Sequence, residues 1–257
     1  MTSSPAEPLV RFVIGGVQKG GTTALAHYLG RQPGVSLPRD KEAHVFDAGD
    51  FDDEAPTALV DAGFLPKFES ATTTRLHGDA TPIYLFLPQA IDRIARYNPA
   101  MRWIILLRDP AERAVSHHHM ERLRGHERWP LPLALLLERR RLQRAAGSLA
   151  EGSSLRIHSY RARGDYAAQL DALFARFPRE QVLLLRSEDL RASPDATLSR
   201  VCDFLGMQAP VAGADYAPVF AGDYPRIPRN SLRGRLLRWW FRRELRAMRE
   251  RYGLRFN

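Results

Sequence analysis

Lysine is almost missing from this 257-residue chain: of its 38 basic residues only Lys19, Lys41 and Lys67 are lysines. An arginine- and alanine-rich bias of this kind fits a GC-rich genome. Lysine is still a compact point charge that arginine does not replace equivalently, so the three survivors are worth following. Cysteine is scarcer. A lone Cys202 excludes an internal disulfide and a cysteine-based zinc cluster. Its place among Leu198, Val201, Phe204 and Leu205, at helical spacing, predicts a buried core thiol. No apolar run approaches the ~20 residues that span a bilayer. The first eight residues lack the basic and apolar regions of a secretory signal. These absences lead us to expect a soluble protein of a reducing, cytoplasmic compartment.

Positive charge is in excess. A formal net charge of +9 points to an anionic partner such as a nucleotide, a phosphorylated or sulfated substrate, nucleic acid or a membrane surface. Charge alone does not choose among them. The hydrophobic and charged fractions, 44% and 26%, are those of an ordinary globular protein. The length suits one good-sized domain.

Apolar runs set out the organisation. Arg11–Gly16 reads as a buried strand entering a glycine-rich turn, and residues 22–31 read as a helix with Ala24, Leu25, Tyr28 and Leu29 on its apolar face. Residues 75–79 suggest a short strand and 88–97 a helix. Trp103–Leu107 is the clearest central strand, followed by a helix from Pro110 to about Arg124. Helices are expected over 131–146, 160–177, 193–205 and 231–252, with a second strong strand at Gln181–Arg186. The prolines, glycines and aspartates of 209–230 mark a long loop. Strand, glycine loop and helix in this order predict an α/β fold: a single domain over 10–257 after a flexible stretch 1–9, with a mainly parallel central sheet flanked by helices and a P-loop-like turn after the first strand.

Three constellations carry chemistry. The first is Gly15-Gly16-Val17-Gln18-Lys19-Gly20-Gly21-Thr22-Thr23, where a strand passes into a helix. Backbone N–H groups at such a turn cradle phosphate, and threonine hydroxyls add donors. Gly16 to Gly21 has the span of a nucleotide-kinase loop, yet Thr22 stands where that loop has its lysine, and Lys19 lies inside the turn instead. Lys19 there would neutralise a leaving phosphate. A turn that merely starts a helix is the plainer alternative. The second is Arg108-Asp109-Pro110-Ala111-Glu112-Arg113-Ala114-Val115-Ser116, in which Arg108 and Ser116 can converge on one anion. Arg113 reads as helix surface. The third is Lys41-Glu42-Ala43-His44-Val45-Phe46-Asp47, two carboxylates and an imidazole that suit removal of a hydroxyl proton, or else a charged loop anchored by Phe46. The consecutive His117, His118 and His119 cannot all face one ion from a helix, and they read as helix surface with one turned to the cleft.

The first two segments resemble the 5′-phosphosulfate loop and the 3′-phosphate motif of the sulfotransferases that use 3′-phosphoadenosine 5′-phosphosulfate (PAPS). The third is similar to the Lys-Glu-x-His-x-Phe-Asp stretch of the heparan-type glycan sulfotransferases and their bacterial relatives, with Val45 in place of a common phenylalanine. Gly78–Tyr84, Gly164-Asp165-Tyr166, Phe177–Gln181 and Ser187–Leu190 resemble further family segments. The likeness covers residues 10–205 and continues more loosely beyond. It implies in-line sulfuryl transfer to a hydroxyl or amine, with adenosine 3′,5′-bisphosphate as product and no metal. It implies Glu42 as base, with Lys19 and His44 in the chemistry. Gln18, Lys19, Gly20, Gly21, Thr22, Thr23, Arg108 and Ser116 would hold the donor, and Lys41, Asp47 and Asp79 would meet the acceptor. A carbohydrate or glycolipid hydroxyl is favoured; tyrosine, a small metabolite, or phosphoryl transfer by a small-molecule kinase are the alternatives. No nucleic-acid partner is expected. Arg226, Arg229 and Arg233 are the available residues for a basic loop closing over the nucleotide. The apolar stripe Leu232, Leu236, Trp240, Leu245, Met248 and Tyr252 is best explained by core packing. The basic, Trp-bearing stretch Arg235–Arg243 also fits a weak peripheral contact with an anionic membrane.

Overall fold

The apolar runs of the sheet become strands, and those that begin at Val10, Arg102 and Val182 each hand over to a helix. In the computed structural model, which describes residues 7–69, 72, 75–150, 152–210, 227–228 and 230–256, β1 (Val10–Gly16) leads through a five-residue turn into α1 (Thr22–Gly30). A two-residue strand, β2 (Val35–Ser36), and α2 (Thr57–Phe64) precede β3 (Leu76–Asp79). Next, α3 (Pro88–Tyr97) crosses to β4 (Arg102–Leu107), which runs into α4 (Pro110–Leu123). There follow α5 (Leu131–Ala145), α6 (Ser154–Ile157), α7 (Tyr166–Phe174), β5 (Val182–Arg186), α8 (Ser187–Ala192) and α9 (Pro194–Leu205). The described chain closes with α10 (Leu232–Trp240) and α11 (Arg242–Tyr252).

The strands form one parallel sheet in the order β2-β3-β1-β4-β5. Alternation along β1 and β4 sends side chains to opposite faces. Val13, Trp103, Ile105 and Leu107 pack against α3, α7 and Met248 of α11. Phe12, Ile14, Ile104 and Leu106 pack against α1 and α9, where Cys202 is fully buried as expected. Both faces are therefore covered, as an all-parallel sheet requires. A third cluster, with Ala114, Leu135, Tyr160 and Phe241, joins α4, α5 and the C-terminal helices. The result is the single α/β domain read from the sequence.

Some elements depart from that reading. The helix expected from residue 160 starts only at Tyr166: the N–H groups of Arg161 (2.7 Å) and Ala162 (2.8 Å) donate to the buried Glu138 carboxylate, and a short 3-10 turn, Ala162–Gly164, comes first. The C-terminal helix is two helices, broken at Phe241, whose ring packs into the third cluster against Gly164. The apolar stripe splits with it: Met248 is buried, whereas Leu232 and Leu236 face outward. Arg113, expected on the surface, is fully buried and donates to the Tyr160 carbonyl. His117 and His118 are buried too, not surface residues. His118 Nε2 bonds the Trp129 carbonyl at 2.8 Å, and burial holds His117 well below the usual imidazole range. Among the described residues no group of His, Cys, Asp and Glu could hold a metal ion, and no helix is long and apolar enough to cross a membrane. Arg226 and Arg229 lie outside the described residues, as does most of the 209–230 loop; Arg233 is exposed on α10.

β3 lies close against β1 because Gly78 has no side chain; a Cβ there would land inside the Phe12 ring. Gly78→Ala should overpack this seam and cost about 1–3 kcal/mol. Scanning calorimetry should show a melting temperature lowered by several degrees, and an unchanged one would contradict the close packing.

Candidate active site

Parallel strands end on the same side, so the residues after β1, β3, β4 and β5 meet along one edge, where ligands bind in sheets of this kind. Gly16 pairs with Leu106 of β4 and takes φ +117°. A Cβ there would strike the Leu106 backbone, so only glycine lets the chain turn so tightly against β4. The turn is closed by Gly20 N–H donating to the Val17 carbonyl at 2.8 Å. α1 then begins at Thr22 behind Gly21, which offers no side-chain cap, and first-turn N–H groups have no intrahelical partners. With Thr22 and Thr23 beside them, they form a cradle for an anion.

Arg108 reaches this turn from the end of β4. Its guanidinium donates to the Lys19 carbonyl (3.2 Å) and to Glu112 one helical turn on (3.2 Å), while Tyr166 donates to the Arg108 carbonyl (2.9 Å). Ser116 is buried a turn beyond Glu112 on the same face of α4. Asp109 is fully buried. It caps α4 by accepting from Ala111 N (2.9 Å) and Glu112 N (3.1 Å), and it pairs with Arg238 of α10. Beside Arg108 opens a cavity of about 340 Å³, lined by Glu112, Val115, Arg191, Leu237 and Arg238 among others, a volume that suits a nucleoside.

The loop from Lys41 to Asp47 runs along the same edge. Lys41 Nζ lies 2.6 Å from Glu42 Oε1 and 3.4 Å from the Thr22 hydroxyl, so it bridges this loop to the phosphate turn. His44 stands between two carboxylates, Nδ1 at 3.0 Å from Asp47 Oδ2 and Nε2 at 3.3 Å from Glu42 Oε2. The bond to Asp47, then that to Glu42, pushes its pKa up to about 9 against a partial burial that lowers it. Both ring nitrogens therefore carry protons at neutral pH. Burial alone would raise Glu42, but hydrogen bonds from His44 and Lys41 outweigh it and hold the carboxyl below its usual range.

Asp47 and Asp79 do not present carboxylates to an acceptor; both are fully buried. Asp47 also binds Arg156 at 2.7 Å. Asp79, which burial lifts to about 6, accepts from Ala43 N (3.0 Å) and the Thr81 hydroxyl (2.7 Å), pinning the loop from below. Among the described residues only four non-glycine positions have positive φ, and three of them are Lys19, Lys41 and His44. Such backbone costs free energy and collects where side chains must be aimed.

Two residues escaped the sequence reading. Arg163 is buried and donates to Gln18 Oε1 (3.0 Å), to the Ser159 hydroxyl (2.8 Å) and to the Arg156 carbonyl (3.0 Å); burial, with Arg113 and Arg156 nearby, lowers it to about 9. Arg156 in turn holds Asp47. One short segment thus braces both the glycine turn and the Lys41–Asp47 loop. No spacing marks these two among so many arginines, although Arg163 directly precedes the Gly164-Asp165-Tyr166 motif.

Residues 10–215 match the family model described as a sulfotransferase domain. Heparan sulfate glucosamine 3-O-sulfotransferase 3B1 of Homo sapiens is 29% identical over 80% of this chain and 48% of its own length. Heparan sulfate glucosamine 3-O-sulfotransferase 6 of Mus musculus is 30% identical over 76% of this chain and 52% of its own. The chain thus spans about half the length of these curated relatives. A solved sulfotransferase from Alicyclobacillus acidocaldarius superposes with a TM-score of 0.75 at 26% identity, covering 95% of each chain.

Because His44 is held as an imidazolium, its charge should be fully present near neutrality and be lost as pH rises through about 9. An NMR titration should place its midpoint near that value, and Asp47→Asn should move it down toward the ordinary ~6.5. A midpoint near 6.5 in the unaltered protein would rule out the paired imidazolium.

Proposed function

The chain belongs to the sulfotransferase family, and from that premise we propose that it moves the sulfuryl group of PAPS to a hydroxyl of a carbohydrate or glycolipid, with Glu42 as base. The observation that carries this reading is the Lys41 bridge, which ties the proposed base to the phosphate turn through Thr22. The glycine turn, the uncapped start of α1, Arg108 and the adjoining cavity fit a nucleotide bearing phosphate at both ends.

PAPS supplies a sulfuryl group already activated by its anhydride link to phosphate. Gln18, Gly20, Gly21, Thr22 and Thr23 hold the 5′-phosphate, and Arg108 with Ser116 takes the 3′-phosphate. Glu42 accepts the acceptor's proton as the acceptor oxygen bonds to sulfur. The bond from sulfur to the phosphate oxygen breaks, and adenosine 3′,5′-bisphosphate leaves. Lys19 and the loop N–H groups neutralise charge developing on that phosphate. His44 and Lys41 both weaken Glu42 as a base, and an anionic donor beside Thr22 that draws the Lys41 ammonium away relieves the lysine's share. His44 and Asp79 orient the loop. A reducing, cytoplasmic setting belongs to the same proposal, supported by the single buried thiol.

The 3-O-sulfotransferase names of the relatives support a sugar hydroxyl as acceptor. A kinase reading has less support, since the turn's lysine precedes its last glycines.

Calorimetric titration should find tight binding of adenosine 3′,5′-bisphosphate and weak binding of ADP or ATP with magnesium. Arg108→Ala should weaken the bisphosphate roughly tenfold to a hundredfold. Glu112→Gln, which frees Arg108 from a competing carboxylate, should tighten it by up to about fivefold. Preference for ATP would overturn the donor assignment. Glu42→Gln should lose about a hundredfold or more in turnover while still binding bisphosphate, and near-normal turnover would remove Glu42 as the base.

A further inference from the structure

α10 displays an apolar face that nothing in the described fold covers. Leu232, Leu236 and Trp239 are 82%, 60% and 54% exposed, and their spacing places them on one stripe of the helix. The opposite side is anchored: Gly234 is buried, Leu237 packs on the third cluster, and Arg238 pairs with the buried Asp109 and donates to the Phe256 carbonyl at 3.3 Å. Helix rotation therefore cannot hide the stripe. Along the chain its flanking charges are all basic. Arg233, Arg235, Arg242 and Arg243 are exposed, and no acidic residue occurs from Leu232 to Arg243. The next acid, Glu244, is turned inward to Ala167 N at 3.0 Å. Arg242 lies over the Trp239 ring at 4.0 Å, so an indole and a guanidinium share one exposed patch.

We propose that this face of α10 docks the protein on an anionic membrane surface, with Leu232, Leu236 and Trp239 entering the headgroup–acyl boundary and the arginines meeting lipid phosphates. A helix lying in the interface has these parts: an apolar stripe, a tryptophan at its margin and flanking cations. Three anchors alone give weak attachment, and four nearby cations supply the remainder on a negatively charged leaflet. A polyanion such as a nucleic acid would engage the arginines but leave the leucines in water. A second copy related by two-fold symmetry would bring like-charged rims together. The inference does not rest on the donor or acceptor assignment.

The test is co-sedimentation of the whole chain with vesicles of phosphatidylcholine alone and of equal parts phosphatidylcholine and phosphatidylserine. The protein should pellet with the mixed vesicles only, and the pelleted fraction should fall as salt is raised. Leu236→Ala/Trp239→Ala should weaken binding roughly tenfold or more with bisphosphate affinity unchanged. Should that variant melt early, Arg233→Gln/Arg235→Gln gives an independent reading, with a loss of about tenfold or more expected. Several outcomes would each overturn the proposal: no pelleting, equal pelleting on phosphatidylcholine alone, folded variants that bind as before, or a solution dimer that the leucine–tryptophan variant dissolves.

Discussion

The site depends on how closely β1 runs beside β4 at its carboxyl end. Gly16 turns with no room for a Cβ against the Leu106 backbone, and Val17 N–H donates to the Leu106 carbonyl at 3.1 Å. That contact sets the phosphate turn directly beside the residue that follows β4, so Arg108 can reach the Lys19 carbonyl. Ser187, just past β5, closes the arrangement from the other flank by donating to the Gly20 and Leu107 carbonyls. The three strand ends are thereby stitched into one rigid edge. Widening the β1–β4 gap by one methyl group would move every donor of the cradle relative to the arginine clamp.

Around this edge runs a line of alternating charge: Lys41, Glu42, His44, Asp47 and Arg156. Each group is satisfied by its neighbours, which lets Asp47 stay ionised with no solvent exposure. The line is anchored in backbone at both ends, by Asp79 on Ala43 N and by Arg156 on the Asp47 carbonyl (3.1 Å). A cation bracketed by carboxylates resists loss of its proton, so His44 stays charged and holds the Glu42 carboxylate in place.

Much of this was legible in the sequence. The runs ending in Gly15-Gly16 and in Leu106-Leu107 read as buried strands by period, and the motifs that follow them point to one site through the family resemblance; that the two strands are neighbours comes from the structure. Arg163 and Arg156 were not legible, because what distinguishes them is burial against Gln18 and Asp47, distant in sequence. The same holds for Arg113 and His117, which look like helix surface until α5 and Tyr160 cover them. The helix start expected at residue 160 was also not legible, since the turn at Arg161 and Ala162 is fixed by Glu138, a carboxylate on another helix. Asp47 and Asp79 read as acceptor contacts in the sequence, yet both are buried and brace the Lys41–Asp47 loop from within.

The Lys41 bridge has a bearing on timing. One ammonium cannot serve two anions equally: Lys41 Nζ holds Glu42 at 2.6 Å and lies 3.4 Å from the Thr22 hydroxyl. An anion settling at the start of α1 competes with Glu42 for that charge, so occupancy of the turn and the state of the carboxylate are linked. On the proposal that Glu42 is the base, this linkage favours donor before acceptor.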